Sequence, residues 1–339
     1  MIFKEVESAK DIFVNLKTLD QIDINKLEFL NELFIERTVA GKVNHSKKLL
    51  FTSYFSSKKS PQDTTSDAPK DSITYIEPWY DSVNKLQLKG IVFHDGLSDT
   101  FVKKYSTQCV TFVRCTLGSY SLNDERFILY LKYIKEYCLD LQYVYLTDAN
   151  DVIITQNPFH ILEKSNDPKL FVGRNNGHLL RQSRVNWSKR IPIFARESKV
   201  NLDRKFYNQT IYNAGIIGGS ISSIKYLLLN MCYYFRLCNS HSNNNMVILN
   251  YTIYKFWFPN CRQQSTKIKE HIPMFAYRIF DLIFNNRFTS DMSNSLFRPA
   301  DHDNKNDILA NTDYIVTSYP FCSKFKRFES ESKALFIHK

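Results

Sequence analysis

The sequence predicts an α/β chain, a mostly parallel sheet flanked by helices. Three observations lead there. From residue 47 onward, β-rich runs alternate with longer runs of helical periodicity, the pattern of βα units. The chain has 339 residues, 43% of them hydrophobic, with 26 Phe and 20 Tyr, enough to fill a large core. Only nine glycines occur, which excludes collagenous, propeller-like and glycine-loop-dominated chains.

The elements follow in order. Residues 1–46, with "DINKLEFLNELFIERTV", read as an N-terminal helical extension without chemistry. "KKLLFTSYF" (47–55) is the first convincing strand, and the polar "SSKKSPQDTTSDAPKDS" after it has the composition of a loop. "YDSVNKLQL" then reads as helix, "GIVFHD" as strand, "SDTFVKKY" as helix and "CVTFVRC" as strand. "NDERFILYLKYIKEYCLD" is a long helix in which Asn123 can cap, and Asp124 and Glu125 suit the first turn. "QYVYLTD" and "KLFVGRN" are strands, and "YNAGIIGGS" is a strand-like core with glycines at a bend. Two helices follow, "SIKYLLLNMCYYFRLC" and "NNMVILNYTIYKF", and the tail "NTDYIVTSYPFCSKFKRFES" holds a short strand and a basic loop. Neither a repeat nor a linker divides the chain, so residues 47–339 read as one domain.

The formal charge of +11 favours an anionic partner. The basic residues are dispersed, with no Lys/Arg block of five, and no zinc finger, RRM signature or aromatic-interleaved basic helix occurs; the expectation is a phosphate-bearing small ligand on a basic surface, not nucleic acid. Seven cysteines, none in a C-x-x-C pair, read as reduced core thiols and favour a reducing compartment. No N-terminal apolar region resembles a signal peptide and no apolar run is long enough to span a membrane, so the expected location is cytoplasmic.

The stretch "QYVYLTDANDVIITQNPF" carries the chemistry. It reads as a buried strand that ends in Asp148, Asn150 and Asp151 and then turns apolar again. In an open α/β sheet, ligands sit beyond the carboxyl ends of the strands. Carboxylates delivered there suit a hard cation such as Mg²⁺ or Mn²⁺ shared with substrate phosphates. Without a ligand, the same acids read as a capped loop with Asp151 paired to a basic neighbour.

At this point the sequence resembles the GT-A glycosyltransferases, nearest to the glycogenin and lipopolysaccharide-galactosyltransferase type and the nucleotide-diphospho-sugar transferases. The elements that carry the resemblance are "NDERFILYLKYI" (123–134), "VYLTDANDVIITQNPF" (144–159), "YNAGIIGGS" (212–220), "NNNMVILN" (243–250) and "SYPFCSKFK" (318–326), in the family's order. The resemblance implies a GT-A-like Rossmann-type sheet, with a nucleotide-sugar half over about 47–160 and an acceptor half over about 161–339. It implies a metal-dependent transferase that moves a sugar from a UDP- or GDP-sugar to a hydroxyl of a glycan or glycoprotein.

The departures shape the site. The signature is D-A-N-D. Counting back from "NP" puts Asp151 at the family's metal-binding position, with Asp148 as the other metal or ribose contact; alternatively Asp148 and Asn150 form a D-x-N version. The acidic helix motif appears as Asn243-Asn244-Asn245, so Asn244 and Asn245 offer the sugar amides, which cannot serve as nucleophile or base. The family's C-terminal metal histidine is missing at its expected place within "IVTSYP", which Thr317 or Ser318 occupies; the nearest histidines are His302 and His338. The expected metal ligands are therefore Asp148 and Asp151, and the expected cofactor is Mn²⁺ or Mg²⁺.

Other candidates are graded by chemistry. Lys324 and Lys326 can clamp a diphosphate, and Arg126 can cross to the phosphates or to Asp148, or form a surface salt bridge. Asn213, Ala214 and Gly215 can wall the sugar, with Gly215 permitting close backbone approach. Thr52, Ser53 and Tyr54 end the first strand, where base and ribose would bind, and Asp95 and Asn123 stand as further nucleotide contacts. His94 reads better as structural, Trp187 and Trp257 read as core packing before sugar-stacking platforms, and Arg174, His178 and Arg181 are acceptor-facing candidates. The alternative function is nucleotidyl or other phosphoryl transfer at the same acids. Against it, no G-x-x-x-x-G-K-[ST] or G-x-G-x-x-G loop is present.

Overall fold

In the computed structural model, strand β1 (Lys48–Tyr54) pairs in parallel with β2 (Gly90–His94) and with β4 (Tyr143–Thr147), and β2 pairs in parallel with β3 (Val110–Arg114). The structure describes residues 30, 33–36, 46–58, 68–138, 140–163, 170–178, 189–207, 209–238, 242–257, 315–316, 322–323 and 335–338. Beyond β4, strand β7 (Thr210–Ser220) runs antiparallel to it, followed by β6 (Leu170–His178) and β8 (Ile315–Val316). The order of this seven-stranded sheet is β3-β2-β1-β4-β7-β6-β8, with β7 running against the rest.

A parallel sheet covered on both faces demands strands that are apolar on both. In β1, Leu49 and Phe51 enter one core while Leu50 and Tyr54 enter the other; β4 divides Val144 and Leu146 from Tyr145 in the same way. Helices α1 (Glu77–Lys85), α2 (Asp99–Tyr105) and α4 (Phe159–Glu163) cover the face of Leu50. The opposite face is covered by α3 (Leu122–Tyr137), α5 (Arg190–Ser198), α7 (Ile221–Leu237) and α8 (Asn245–Trp257), with the short α6 (Arg204–Tyr207) beside them. Among the described residues, no helix is long and apolar enough to cross a membrane.

Two local readings change, and a third takes a different form. The cap of α3 is Ser121, whose extended backbone (φ −61°, ψ 147°) lets its Oγ accept from Asp124 N at 3.4 Å; Asn123 lies inside the first turn. Leu33–Glu36, expected as helix, is not helical, and Ile35 forms an antiparallel bridge to Cys115. The glycines of "YNAGIIGGS" lie within one continuous strand, β7, whose pairing with β6 slips at Gly215: Val172 faces Ile217 while Gly173 faces Asn213, leaving residues 214–216 unmatched; Gly218 is needed because a Cβ there would lie 2.0 Å from the Tyr145 ring.

A second, three-stranded sheet joins β5 (Val152–Ile154), β10 (Phe336–His338) and β9 (Cys322–Ser323). β10 is antiparallel to β5, with His338 opposite Val152. Leu335, Phe336 and Ile337 are fully buried, and each such side chain contributes about 1.5–3 kcal/mol by leaving water. Phe336 packs on Tyr145 with ring centroids 5.0 Å apart, which anchors β10 against the main sheet. This docking carries a histidine to the end of β4.

Candidate active site and metal centre

The main sheet's central parallel strand, β4, ends at Thr147, and the Asp148 amide donates to Gly215 O at 2.8 Å, tying the strand end to β7. The chain bends over Ala149–Asp151 before β5 begins. Ala149 is buried and Asn150 is exposed, while Asp148 and Asp151 are half-buried. Facing them is His338, whose Nε2 lies 3.4 Å from Asp151 Oδ2 and 3.8 Å from Asp148 Oδ2. One ligand atom from each of these three residues lies within 4.8 Å of the other two. Asp148 and Asp151 thus come together as expected. Asn150 is not part of this group, and His338 is the histidine the sequence reading lacked.

The residues fit a divalent cation. Two carboxylates and an imidazole form a mixed oxygen and nitrogen donor set that suits Mn²⁺, and Mg²⁺ when phosphates and water supply further oxygens. Asp151 Oδ1 is buried and has no hydrogen-bond partner among the described residues. Gly215 makes the convergence possible: a Cβ there would lie 2.5 Å from His338 Cε1 and 2.7 Å from Asp148 Oδ2.

The charge is organised from behind by α3. Arg126 Nη1 donates to Asp148 Oδ1, and its Nη2 donates to Ala214 O at 3.2 Å. Burial opposes ionisation of Asp148, but the guanidinium and the neighbouring His338 outweigh it and hold the carboxyl below its usual range. Asp148 therefore has one oxygen committed to Arg126 and the other directed to the cluster. The two preceding residues are buried as well. Glu125 accepts from Gly118 N at 2.7 Å and meets Lys58 Nζ at 3.4 Å, and Asp124 accepts from Asn244 N. One helical turn thus holds three loops around the strand end.

The remaining candidates take distinct places. Asn213 Oδ1 accepts from Gly215 N at 2.7 Å, and Ala214 N donates to Met246 Sδ at 3.4 Å. Asn244 and Asn245 are buried at the head of α8. Thr52 is fully buried and donates to Thr147 O at 3.0 Å. Tyr54 is also buried, with its hydroxyl against Pro69 O and Ser72 O, while Ser53 is half-buried. Asp95 accepts from Ser56 N at 2.8 Å and Ser57 N at 3.1 Å, and Asn123 is half-buried in the first turn of α3. His94 and Trp257 are core residues. Arg174 and His178 fall on β6; Arg181, Trp187, His302, Thr317, Ser318, Lys324 and Lys326 lie outside the described residues.

Tyr75 also went unread in the sequence. Its half-buried ring packs on Tyr54 at 4.7 Å, and burial, with the charges of Asp148 and Asp151, raises its pKa. Nothing in its local pattern marks it. For His338 the one local signal is the short apolar run "ALFI" before it.

No family model matches the chain, and no curated protein matches it. Among solved structures, the chain is similar to the galactosyltransferase LgtC in complex with donor and acceptor sugar analogues, at 13% identity and TM-score 0.38 over 61% of this chain and 70% of that one. It is likewise similar to an active-site mutant of LgtC, at 14% identity and TM-score 0.37 over the same shares. Overlap of that extent says nothing about chemistry, which has to come from the residues of this chain.

Proposed function

We propose that the chain is a metal-dependent glycosyltransferase, moving a sugar from a UDP- or GDP-sugar to a hydroxyl of a glycan or glycoprotein. The observation that carries the reading is the convergence of Asp148, Asp151 and His338 at the carboxyl end of a parallel strand, closed by Gly215 and backed by Arg126. Strand ends of this kind are where open α/β sheets bind ligands. Mn²⁺ or Mg²⁺ held by the two aspartates and the histidine would supply Lewis acidity and neutralise a departing diphosphate.

The protein's own groups have separable tasks. Arg126 keeps Asp148 ionised and oriented, and Gly215 admits the three ligands to one point. Asn213, set by its bond to Gly215 N, and the amides at the head of α8 stand on the sugar side; they can position hydroxyls but cannot attack carbon or take a proton. Ser53 and Tyr75 stand on the nucleotide side. Lys324 and Lys326 are kept as proposed diphosphate contacts on chemical grounds alone.

Thermal unfolding with UDP, GDP, CDP and ADP, each with Mn²⁺ or chelator, tests the reading. Ligand at about a hundred times its dissociation constant stabilises by about 2.7 kcal/mol. The expected result is a rise in Tm with one nucleotide, abolished by chelator. No rise with any nucleotide sinks the proposal.

A further inference from the structure

Asp124 is a carboxyl group buried to 1% exposure, and its backbone partners lie at the head of another helix. Both oxygens lie 3.1 Å from Asn244 N, and the Asn245 amide and Ser121 add hydrogen bonds. The carboxylate thus sits at the N-termini of two helices, its own α3 and, across the gap, α8. The fields of both helix ends favour a negative charge there.

A carboxylate is an expensive cap. Burial raises the Asp124 pKa to about 7, against the hydrogen bonds and the Arg126 charge that lower it. An asparagine or serine at the head of α8 could cap that helix locally at far lower cost. What a local cap cannot do is fix α8 relative to α3. Arg126, on the same turn as Asp124, holds Asp148 and Ala214 O. The other side of α8 is registered against β7, since Ala214 N donates to Met246 Sδ, and Asn250 accepts from Tyr212 N at 2.8 Å and donates to Tyr212 O at 2.9 Å.

The residue just ahead of this locked turn is Asn243. It is half-buried, and its Oδ1 is buried with no partner among the described residues. An amide oxygen held in a fixed direction without a protein partner is what a ligand hydroxyl would complete.

We propose that Asp124 is a positioning residue that, by holding the head of α8, fixes Asn243 for contact with a hydroxyl of the donor sugar. The role rests on the glycosyl-transfer reading above. Asp124 touches neither donor nor metal; it sets the place from which Asn243 meets the sugar.

The test compares binding of a nucleoside diphosphate with binding of its intact nucleotide sugars, all with Mn²⁺, by calorimetry. The probes are UDP and GDP and their hexose and N-acetylhexosamine conjugates. Asp124→Asn is expected to leave the nucleoside-diphosphate constant within about twofold while weakening the matching nucleotide sugar about tenfold, the size of one buried hydrogen bond. Asn243→Ala should shift the same ratio by the same factor, and the double variant should lose no more than either single one. Equal weakening of diphosphate and nucleotide sugar would mean a general structural role and overturn the proposal, as would fully additive losses or an unmoved ratio. Should Asp124→Asn fail to fold, Asn243→Ala still decides, because an unchanged ratio in that variant overturns the inference. A wild-type protein that binds no probe takes down the glycosyl-transfer reading as well, whereas wild-type binding with an unmoved ratio removes only the role of Asp124.

Discussion

Two strand ends of this sheet, on either side of β1, carry the same residue types and have opposite fates. At the end of β2 stand His94 and Asp95, with Asp71 and Asp99 close by; at the end of β4 stand Asp148 and Asp151, facing His338. At the β2 end every carboxylate is committed. Asp95 accepts from the backbone amides of Ser56 and Ser57, Asp71 accepts from Ser98 N, and Asp99 accepts from Arg114. At the β4 end one oxygen of Asp148 is held by Arg126, while its other oxygen and Asp151 are turned toward an imidazole instead of toward backbone amides. A carboxylate already satisfied by amides is a loop cap. One kept ionised beside a second carboxylate, with a buried oxygen unmet, is poised for a cation.

The largest expected effect comes from replacing one acid at each end. Asp151→Asn should abolish the chelator-sensitive stabilisation by nucleotide while leaving the fold intact. Asp95→Asn should keep that stabilisation and instead cost about 1–2 kcal/mol of fold stability, the usual loss for disturbed hydrogen bonds to backbone amides. Near-normal nucleotide binding in Asp151→Asn, or its loss in Asp95→Asn, would erase the distinction between the two ends.

The next effect separates two glycines of one strand. Gly215→Ala places a methyl against His338 and Asp148 and should weaken Mn²⁺ binding by about 10- to 100-fold, as disturbed support of metal ligands commonly does. Gly218→Ala strikes the Tyr145 ring instead and should lower stability by about 1–3 kcal/mol through overpacking. Mn²⁺ titration paired with thermal unfolding distinguishes them. Equal metal affinity in wild type and Gly215→Ala would mean the three ligands do not need the close approach seen here.

The β4 end was largely legible in the sequence because its signals are local. "QYVYLTD" has the composition of a strand, the acids follow at once, and "NAG", a short motif recognisable by itself on the strand paired with β4, supplies the wall that closes on them. Arg126 was legible for the same reason, as a charged residue in the first turn of an apolar helix. What stayed hidden depends on pairing between distant segments. His338 reaches the site only because β10 pairs with β5, nearly two hundred positions earlier in the chain, and no periodicity in "ALFIHK" announces that register. Tyr54 illustrates the reverse case: its place at a strand end suggests a base-stacking surface, yet the two-faced burial of a parallel strand turns it inward and leaves Tyr75 on the outside. Asp124 read as a first-turn acid of its own helix, and its second role, at α8, is a tertiary fact.

The smallest effect on binding is expected at His94, and there the comparison becomes a matter of pH. His94 is 1% exposed, lies beside Phe112, and has an Nδ1 with no partner among the described residues. Burial lowers its pKa to about 4; Arg114 pushes the same way, against the raising effect of Asp95, Asp99 and Asp71. The folded value lies below the unfolded one, so the folded protein holds fewer protons there. The resulting stability is present above pH 6.5 and is lost as the pH falls through 4. Over the 1.5 units from pH 6.5 to 5 this amounts to about 2 kcal/mol. His94→Gln should therefore show a flatter fall in Tm between pH 7 and 5 than the wild type, with nucleotide binding at pH 7 unchanged. If the two pH profiles run parallel, His94 is not held neutral by burial. If His94→Gln also loses nucleotide binding, the β2 end belongs to the site and the contrast with the β4 end fails.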